Sequence, residues 1–471
     1  MKKSLMMRGM VLMHYGITVL LFVSCWWLFY RHIAAGAVFG AVNISVYAFY
    51  AVSLLMLSRI YSAYRVGLLH VGDLFYGQVL SNLISLGLTY LLACALARRL
   101  INPLAGFGCA AVQALFSAGW TISANRLYFS LHKPKRTVVI YRDESDLRKL
   151  EEIRFFAERW SVERTVQWDE ENVHDLPYKK ETPGGRSFEA IQKLMRIMED
   201  YEAVFVSGVS ATLRNGIVKY CVEKNKACYF VPHTGDVIIS GAEHIRSFSV
   251  PICRARRSRP APEYLLLKRA MDIVLSLLAI IVLSPFMALA ALAIWSYDRG
   301  PVLYKQVRLT KDGRTFEILK LRSMIVDAEK GGARLAGEHD DRITPVGRII
   351  RAIRFDELPQ LFNILKGDMS IVGPRPERPE IAEQYRQELP AFDLRLQVKA
   401  GLTGYAQIYG RYNTEPQDKL KMDLMYINHA SLAEDIKLIF ATVRVLFLRE
   451  STSGVAEGQR TASAVDKEKS A

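Results

Sequence analysis

Four apolar runs open the chain, at about Met10–Tyr30, Ile33–Leu57, Val79–Ala97 and Leu104–Ile122. Each is close to the ~20 residues that an α-helix needs to cross a bilayer. No other feature restricts the fold as strongly, because a segment that crosses lipid must satisfy its own backbone hydrogen bonds. Basic residues set the orientation. With the N-terminus inside, the inner segments carry Lys2, Lys3, Arg8, Arg59, Arg65, Arg126, Lys133, Lys135 and Arg136, and the outer loops carry Arg31, Arg98 and Arg99. This bias places both ends of the bundle in the cytoplasm. The spans hold almost no ionisable residue at mid-depth, which favours an anchoring bundle over a transport pathway.

Apolar residues make up 51% of the 471-residue chain and the formal net charge is +15. The basic balance fits an anionic membrane surface, and no nucleic-acid-binding signature accompanies it. The six cysteines form no CxxC, and the histidines no HxxH or HExxH, so neither a zinc site nor a disulfide framework is expected.

Residues 136–250 read as soluble α/β. Thr137–Tyr141, Val162–Trp168, Ala203–Val206 and Ala227–Val231 are expected strands, with helices capped by Ser187 and over Thr212–Glu223. The alternation implies a parallel sheet of Rossmann-like type. No GxGxxG follows the first strand, where Asp143-Glu144 would repel a pyrophosphate. The turn Ser207–Ser210 reads as a tight strand-to-helix connection, although it could also hold a small anion. Arg254–Pro262 is a basic, proline-containing linker.

A fifth apolar run, Ile273–Trp295, has Ser284-Pro285 at its centre and basic residues on both sides. Proline removes a helix hydrogen bond, and the charge rule wants both flanks inside. The expectation is a re-entrant helix over 272–297 that enters, breaks at Ser284-Pro285 and returns, with the Ser284 hydroxyl helping to satisfy the broken backbone. Beyond it lie expected strands Val302–Val307 and Thr315–Lys320, joined by a turn at Lys311-Asp312-Gly313. Helical patterns follow over Leu358–Leu365 and Asp423–Leu448, and then a polar tail.

Chemistry concentrates in Thr344–Glu377. Asp356-Glu357 follows Arg351 and Arg354 and precedes the stiff turn Gly373-Pro374-Arg375-Pro376. Taken alone, Asp356 would be a helix N-cap, with Leu358, Leu361, Phe362 and Leu365 as the buried face. Among arginines, an acidic pair instead suits phosphate chemistry. A carboxylate that attacks phosphorus needs its target's charge neutralised, and Mg²⁺ can bridge carboxylate and diphosphate. Arg375, Lys320 and Arg322 are further phosphate candidates. Asp340-Asp341 beside His339 has metal-ligand chemistry but reads as a polar loop.

These residues resemble the bacterial sugar transferases, the monotopic polyprenol-phosphate phosphoglycosyltransferases. The likeness runs over about Lys268–Leu448. It takes in Lys268-Arg269 with Asp272, Ser284-Pro285, Gly300-Pro301-Val302 with Gln306 and Arg308, and Lys320-Leu321-Arg322-Ser323-Met324. Arg342-Ile343-Thr344, Asp356-Glu357-Leu358-Pro359-Gln360-Leu361, Val372-Gly373-Pro374-Arg375-Pro376, Gly401-Leu402-Thr403-Gly404 and Gly410-Arg411 continue it. Ala400 departs from the proline that often precedes Gly-[Ile/Leu]-Thr-Gly. The architecture resembles the long-form members that transfer hexose-1-phosphate.

The resemblance implies three parts: a four-helix transmembrane region at 1–131, a soluble α/β Rossmann-like domain at 132–252, and an α+β monotopic catalytic domain at 268–450. A basic linker at 253–267 and a disordered tail at 451–471 complete the chain. It implies that Asp356 attacks the β-phosphorus of a UDP-sugar, giving a phosphosugar-aspartyl enzyme and UMP, and that undecaprenyl phosphate then accepts the phosphosugar. Glu357 would position Mg²⁺ with Asp356 or assist the acceptor. Arg375, Lys320, Arg322 and Arg354 would hold phosphate, and Arg411 the nucleotide or sugar. Lys268, Arg269, Asp272, Ser284 and Pro285 would be structural. The setting would be the cytoplasmic face of the bacterial inner (plasma) membrane, at the first membrane step of exopolysaccharide, capsule or O-antigen synthesis, with surfaces available for a homodimer. Two rivals remain: a glycosyltransferase that moves only the sugar and releases UDP, and a non-enzymatic membrane scaffold for polysaccharide assembly.

Overall fold

The computed structural model describes residues 2–31, 40–150, 159–168, 192, 194–245, 252–326, 328, 340–410 and 414–446. Ser187, His339, Arg411 and the tail at 451–471 lie outside the described residues. The chain forms two compact units, Met1–Val231 and Pro232–Ala471.

The first unit opens with α1 (Lys2–Cys25), α2 (Ala41–Ile60), α3 (Val71–Ala97) and α4 (Leu104–Leu131). All four are long and apolar enough to cross a membrane, with α1 continuing through one π-helical turn to Tyr30. Each packs on its neighbours in the order α1-α2-α3-α4-α1. Leu12, Leu20, Leu91 and Leu115 face outward, whereas polar side chains face one another inside. His14 Nδ1 and Nε2 lie 3.0 and 3.2 Å from Tyr64 Oη and Ser117 Oγ. Gln113 Nε2 donates to Thr18 O and Tyr50 Oη, and Thr121 Oγ1 donates to Gln78 Oε1. Between helices in lipid there is no hydrophobic drive for association, and interhelical hydrogen bonds of this kind favour it instead.

β1 (Lys135–Tyr141), α5 (Glu144–Lys149), β2 (Trp160–Gln167), β3 (Ala203–Ser207), α6 (Ala211–Glu223) and β4 (Ala227–Phe230) follow. The strands form a parallel sheet in the order β2-β1-β3-β4. Val138, Ile140, Val204 and Val206 pack on one face against Leu213 and Ile217 of α6. Trp160, Phe205 and Tyr229 pack together on the other. The strand order reverses between β1 and β3, where open α/β sheets usually bind ligands. Here the crevice is filled from within. Gly208 sits at φ +72°, and a Cβ there would collide with the Asp146 carboxylate, which also accepts from Ser207 Oγ at 3.3 Å. Asp143 caps α5 by accepting from Asp146 N.

The second unit starts before the basic linker. α7 (Thr234–Ser240) sends Val237 into the second unit's core, and β5 (Glu243–Ile245) pairs antiparallel with β6 (Ile252–Arg254). α8 (Pro262–Asp298) is a single helix of 37 residues. The expected break at Ser284-Pro285 does not interrupt it. Pro285 has no N–H for the carbonyl of Ile281, and Ser284 Oγ donates to that carbonyl at 3.0 Å. The hydroxyl replaces the missing donor, so helical backbone continues past the proline.

Both ends of α8 are fastened to the same unit. Near its start, Lys268 pairs with Asp435 at 2.8 Å, and Arg269 donates to the carbonyls of Ile364 and Leu365. Asp272 accepts from Ser370 Oγ and Ile371 N. Near its end, Ile294 packs with Leu321 and Ile350, and Asp298 pairs with Arg322.

The rest comprises the hairpin β7 (Leu303–Leu309) and β8 (Thr315–Leu321), then α9 (Pro345–Ala352), α10 (Gln360–Lys366), β9 (Ser370–Val372) and α11 (Pro379–Glu388). β10 (Gly401–Thr403), α12 (Tyr405–Tyr409), α13 (Pro416–Asn428) and α14 (Leu432–Leu446) complete it. The helical pattern expected over Asp423–Leu448 is carried by α13 and α14. β9 and β10 pair in parallel, and a Cβ on Gly401 would collide with the Gly373 backbone. That closeness holds the 373–376 turn against the core of Ile364, Met369, Leu420, Leu424 and Leu438.

Candidate active site

The acidic pair sits on one turn of 3₁₀-helix, Phe355–Glu357. Asp356 is not the expected N-cap of the following helix. α10 begins at Gln360, and Pro359 stands at its cap position. Arg354 starts the 3₁₀ turn in the left-handed region at φ +53°. A non-glycine residue there is strained, and such strain persists where surrounding structure enforces it. Of the expected buried face of the next helix, Leu361 is buried and Phe362 is 47% exposed. Asn363 instead turns inward, accepting from Leu319 N and donating to Glu317 O of β8. This ties the acidic turn to the β8 strand that carries Lys320.

Glu357 gathers the cations. Its Oε1 lies 3.0 Å from Arg375 and 3.6 Å from Lys320, and its side chain is only 14% exposed. Burial alone would raise the Glu357 carboxyl. Arg375, Lys320 and Arg354 outweigh burial and hold it at about 2. Asp356 shifts the other way: burial and the charge on Glu357 raise it, with Lys320, Arg351 and Arg375 opposing. Two adjacent carboxylates therefore have different characters. Glu357 is the fixed anion that organises the arginines and lysine. Asp356 keeps a more basic, hence more nucleophilic, carboxylate.

Lys320, Arg354 and Arg375 thus meet at the pair. Burial lowers both Lys320 and Arg354, with the carboxylates opposing. Arg322 does not join them. It lies buried at the end of β8, bonded to Asp298 at the end of α8, with its guanidinium against Gly300. Strand alternation would place Arg322 on the face of Lys320, but β8 ends at Leu321, so Arg322 leaves the strand's register and turns to Asp298 instead. Asp340 is held by Arg342 Nε and Nη2, and no cluster of three potential metal ligands occurs among the described residues.

Sequence reading missed the second layer. Arg395 and Asp423 form a buried pair at 2.7 Å, and Arg395 Nη2 donates to Arg375 O. Burial pushes Asp423 up to about 6, with Arg395 opposing. Tyr426 donates to Asp435 Oδ1 at 2.7 Å and lies 3.3 Å from Lys268 Nζ. The helical spacing of Asp423 and Tyr426 was the available signal, since charge on the inner face of a helix demands a partner.

Residues 263–449 match the family described as bacterial sugar transferase. The chain is 41% identical over 189 residues to a Caulobacter vibrioides UDP-glucose:undecaprenyl-phosphate glucose-1-phosphate transferase, covering 39% of this chain and 71% of that one. This chain belongs to the bacterial sugar transferase family. The Escherichia coli UDP-glucose:undecaprenyl-phosphate glucose-1-phosphate transferase is 35% identical over 280 residues, 56% of this chain and 60% of its own length. That match is longer than the 263–449 segment, as for a long-form member. An Aeromonas hydrophila UDP-N-acetylgalactosamine-undecaprenyl-phosphate N-acetylgalactosaminephosphotransferase is 42% identical over 190 residues, 40% of this chain and 45% of its own. The chain thus spans less than two thirds of the length of the last two relatives. With five helices among the described residues long and apolar enough to cross a bilayer, this sugar transferase is membrane-bound.

Proposed function

We propose that this protein transfers a sugar-1-phosphate from a UDP-sugar to undecaprenyl phosphate, releasing UMP and forming undecaprenyl-diphosphate sugar. The observation that carries this reading is the split acidic pair, with Glu357 paired to Arg375 and Lys320 beside a carboxylate, Asp356, of raised pKa. The relatives' names supply the substrate classes.

In this reading an Asp356 carboxylate oxygen forms a bond to the β-phosphorus. The bond from that phosphorus to the bridging oxygen breaks, and its electron pair leaves with UMP. A phosphate oxygen of the lipid then attacks the same phosphorus and expels the Asp356 carboxylate. Lys320, Arg354 and Arg375 neutralise the diphosphate as charge moves toward the leaving group. Asp356 and Glu357 would hold Mg²⁺. Two carboxylates, with no third protein ligand among the described residues, suit a cation that keeps waters and uses substrate phosphates to complete its shell. When bound, Mg²⁺ supplies charge neutralisation at the diphosphate.

The site belongs at the cytoplasmic face of the inner membrane, where a soluble nucleotide sugar meets a lipid phosphate. α8 would enter the bilayer and return, bending near Pro285. A straight 37-residue helix would be ~55 Å long, yet both of its ends are fastened to one compact unit. Cysteine labelling on both sides of Ser284-Pro285 should reach each flank from the cytoplasm only, and outside labelling of the C-terminal flank would refute the returning path. Incubation of the full chain with UDP-sugars, undecaprenyl phosphate and Mg²⁺ tests the reaction. UMP is the expected nucleotide, whereas UDP would indicate transfer of the sugar alone.

A further inference from the structure

The Val372–Glu377 segment contains Pro374 and Pro376, which have no N–H to anchor it. The Gly373 N–H donates to Thr403 O at 2.8 Å, and the remaining hold is on carbonyls. Tyr426 Oη, whose proton goes to Asp435, lies 3.3 Å from Val372 O, and Gly401 N donates to Pro374 O at 2.8 Å. Arg395 Nη2 donates to Arg375 O at 3.0 Å, Arg308 Nη1 to Pro376 O at 3.1 Å, and Leu309 N to Glu377 O at 2.9 Å. At Arg375 itself the donor is a side chain that is 3% exposed. Its Nε and Nη2 are held by Asp423 at 2.8 and 2.7 Å, Glu377 lies 3.7 Å from Nη1, and Phe392 packs on its guanidinium plane. Arg395 is too buried to meet a substrate. Arg375, by contrast, is 43% exposed along its side chain and reaches Glu357.

We propose that Arg395, locked in place by Asp423, is a positioning residue: it fixes the main chain at Arg375 so that the Arg375 guanidinium stays aimed at Glu357 and at the phosphate group transferred beside it. This rests on the reaction proposed above for its kinetic consequence. A planar fork is needed because one guanidinium must satisfy a carboxylate and a main-chain carbonyl at once. Lysine keeps the charge beside Asp423 and loses that geometry. An arginine placed by a single carbonyl bond can drift by an ångström when the bond is lost, and misplacement on that scale costs up to about a hundredfold in rate.

The test is a double-mutant cycle on UMP release in the full chain in lipid nanodiscs, with hydrogen exchange of the 372–377 peptide as a second readout. Arg395→Lys should lower kcat by roughly ten- to a hundredfold and raise exchange across 372–377. In an Arg375→Ala background the same change should cost less than about twofold, because the residue it positions is gone. The Arg395→Met/Asp423→Met double variant replaces the buried pair with apolar side chains, a change that folds well in other proteins. It should reproduce both the loss and the dependence on Arg375. Losses that multiply across the cycle, or unaltered exchange in both variants, overturn the proposal. A wild-type chain that yields no UMP from any UDP-sugar would count against the reaction. The exchange readout would still decide the positioning.

Discussion

In the four-stranded sheet the Asp146 carboxylate lies over Gly208 and accepts from Ser207, with Lys149 3.8 Å away. In the second unit Asp356 and Glu357 share a 3₁₀ turn and face Lys320, Arg351, Arg354 and Arg375. Both places have a geometry that phosphate favours: a strand end at a switch point in one, a turn ringed by cations in the other. They differ in which sign the chain itself provides. At the sheet, the protein's own anion takes the position a phosphate would need. At the 3₁₀ turn, cations exceed the carboxylates that face them, so a diphosphate finds charge to meet. The same residue type closes one site and arms the other, and only the neighbours decide which.

Variants can break that contrast. The largest effect is expected from Asp356→Asn, which keeps size and removes the charge of the proposed nucleophile. UMP release should fall by at least about a thousandfold. Near-normal turnover would end Asp356's role as nucleophile. Glu357→Gln comes next, with a loss of roughly a hundredfold, because Arg375 and Lys320 lose the anion that holds them.

The same variant should also move the pH profile. Burial and the Glu357 charge raise Asp356, so UMP release should fall, as pH drops, earlier than an ordinary aspartate would dictate. Removing the Glu357 charge lowers Asp356, and the acid limb of kcat/KM should shift to lower pH. A limb that stays in place or rises contradicts the assigned coupling.

Stability gives a smaller signal. Glu357 is depressed from 4.5 to about 2 in the folded chain. Its stabilising contribution is therefore present above about 4.5 and is lost as pH falls toward 2. Denaturation midpoints of Glu357→Gln should show a shallower fall over that window than those of the parent. In the sheet, Gly208→Ala meets both a positive φ and the Asp146 carboxylate. It should lower the melting temperature of the first unit by several degrees and leave UMP release within about twofold. Loss of turnover at constant fold would tie the sheet crevice to the chemistry.

The sequence made the apolar helices legible through length, and the sheet through alternating strands and helices. The grouping of Glu357 with Lys320 and Arg375 was legible only through the company of arginines and the run of motifs, since a helix cap, a surface turn and a strand edge each explain one of these residues taken alone. Other parts depended on three-dimensional pairing. Asp146 is an ordinary helix residue until β3 brings Gly208 beneath it. Arg322 reads like Lys320 until the end of α8 presents Asp298. The Ser284-Pro285 dipeptide reads as a break, yet the serine hydroxyl serves the carbonyl that proline leaves without a donor. Arg395 lies 28 residues from Asp423 and 20 from Arg375, and no local pattern links the three.

In the proposed reaction Asp356 becomes covalently phosphorylated by the sugar phosphate. Intact mass of the full chain, taken after exposure to a UDP-sugar and Mg²⁺ without lipid acceptor, tests it most directly. One added phosphosugar per chain, mapped to Asp356, is expected, with an equal amount of UMP released. UMP formed only when undecaprenyl phosphate is present, with no adduct at any time, would contradict it.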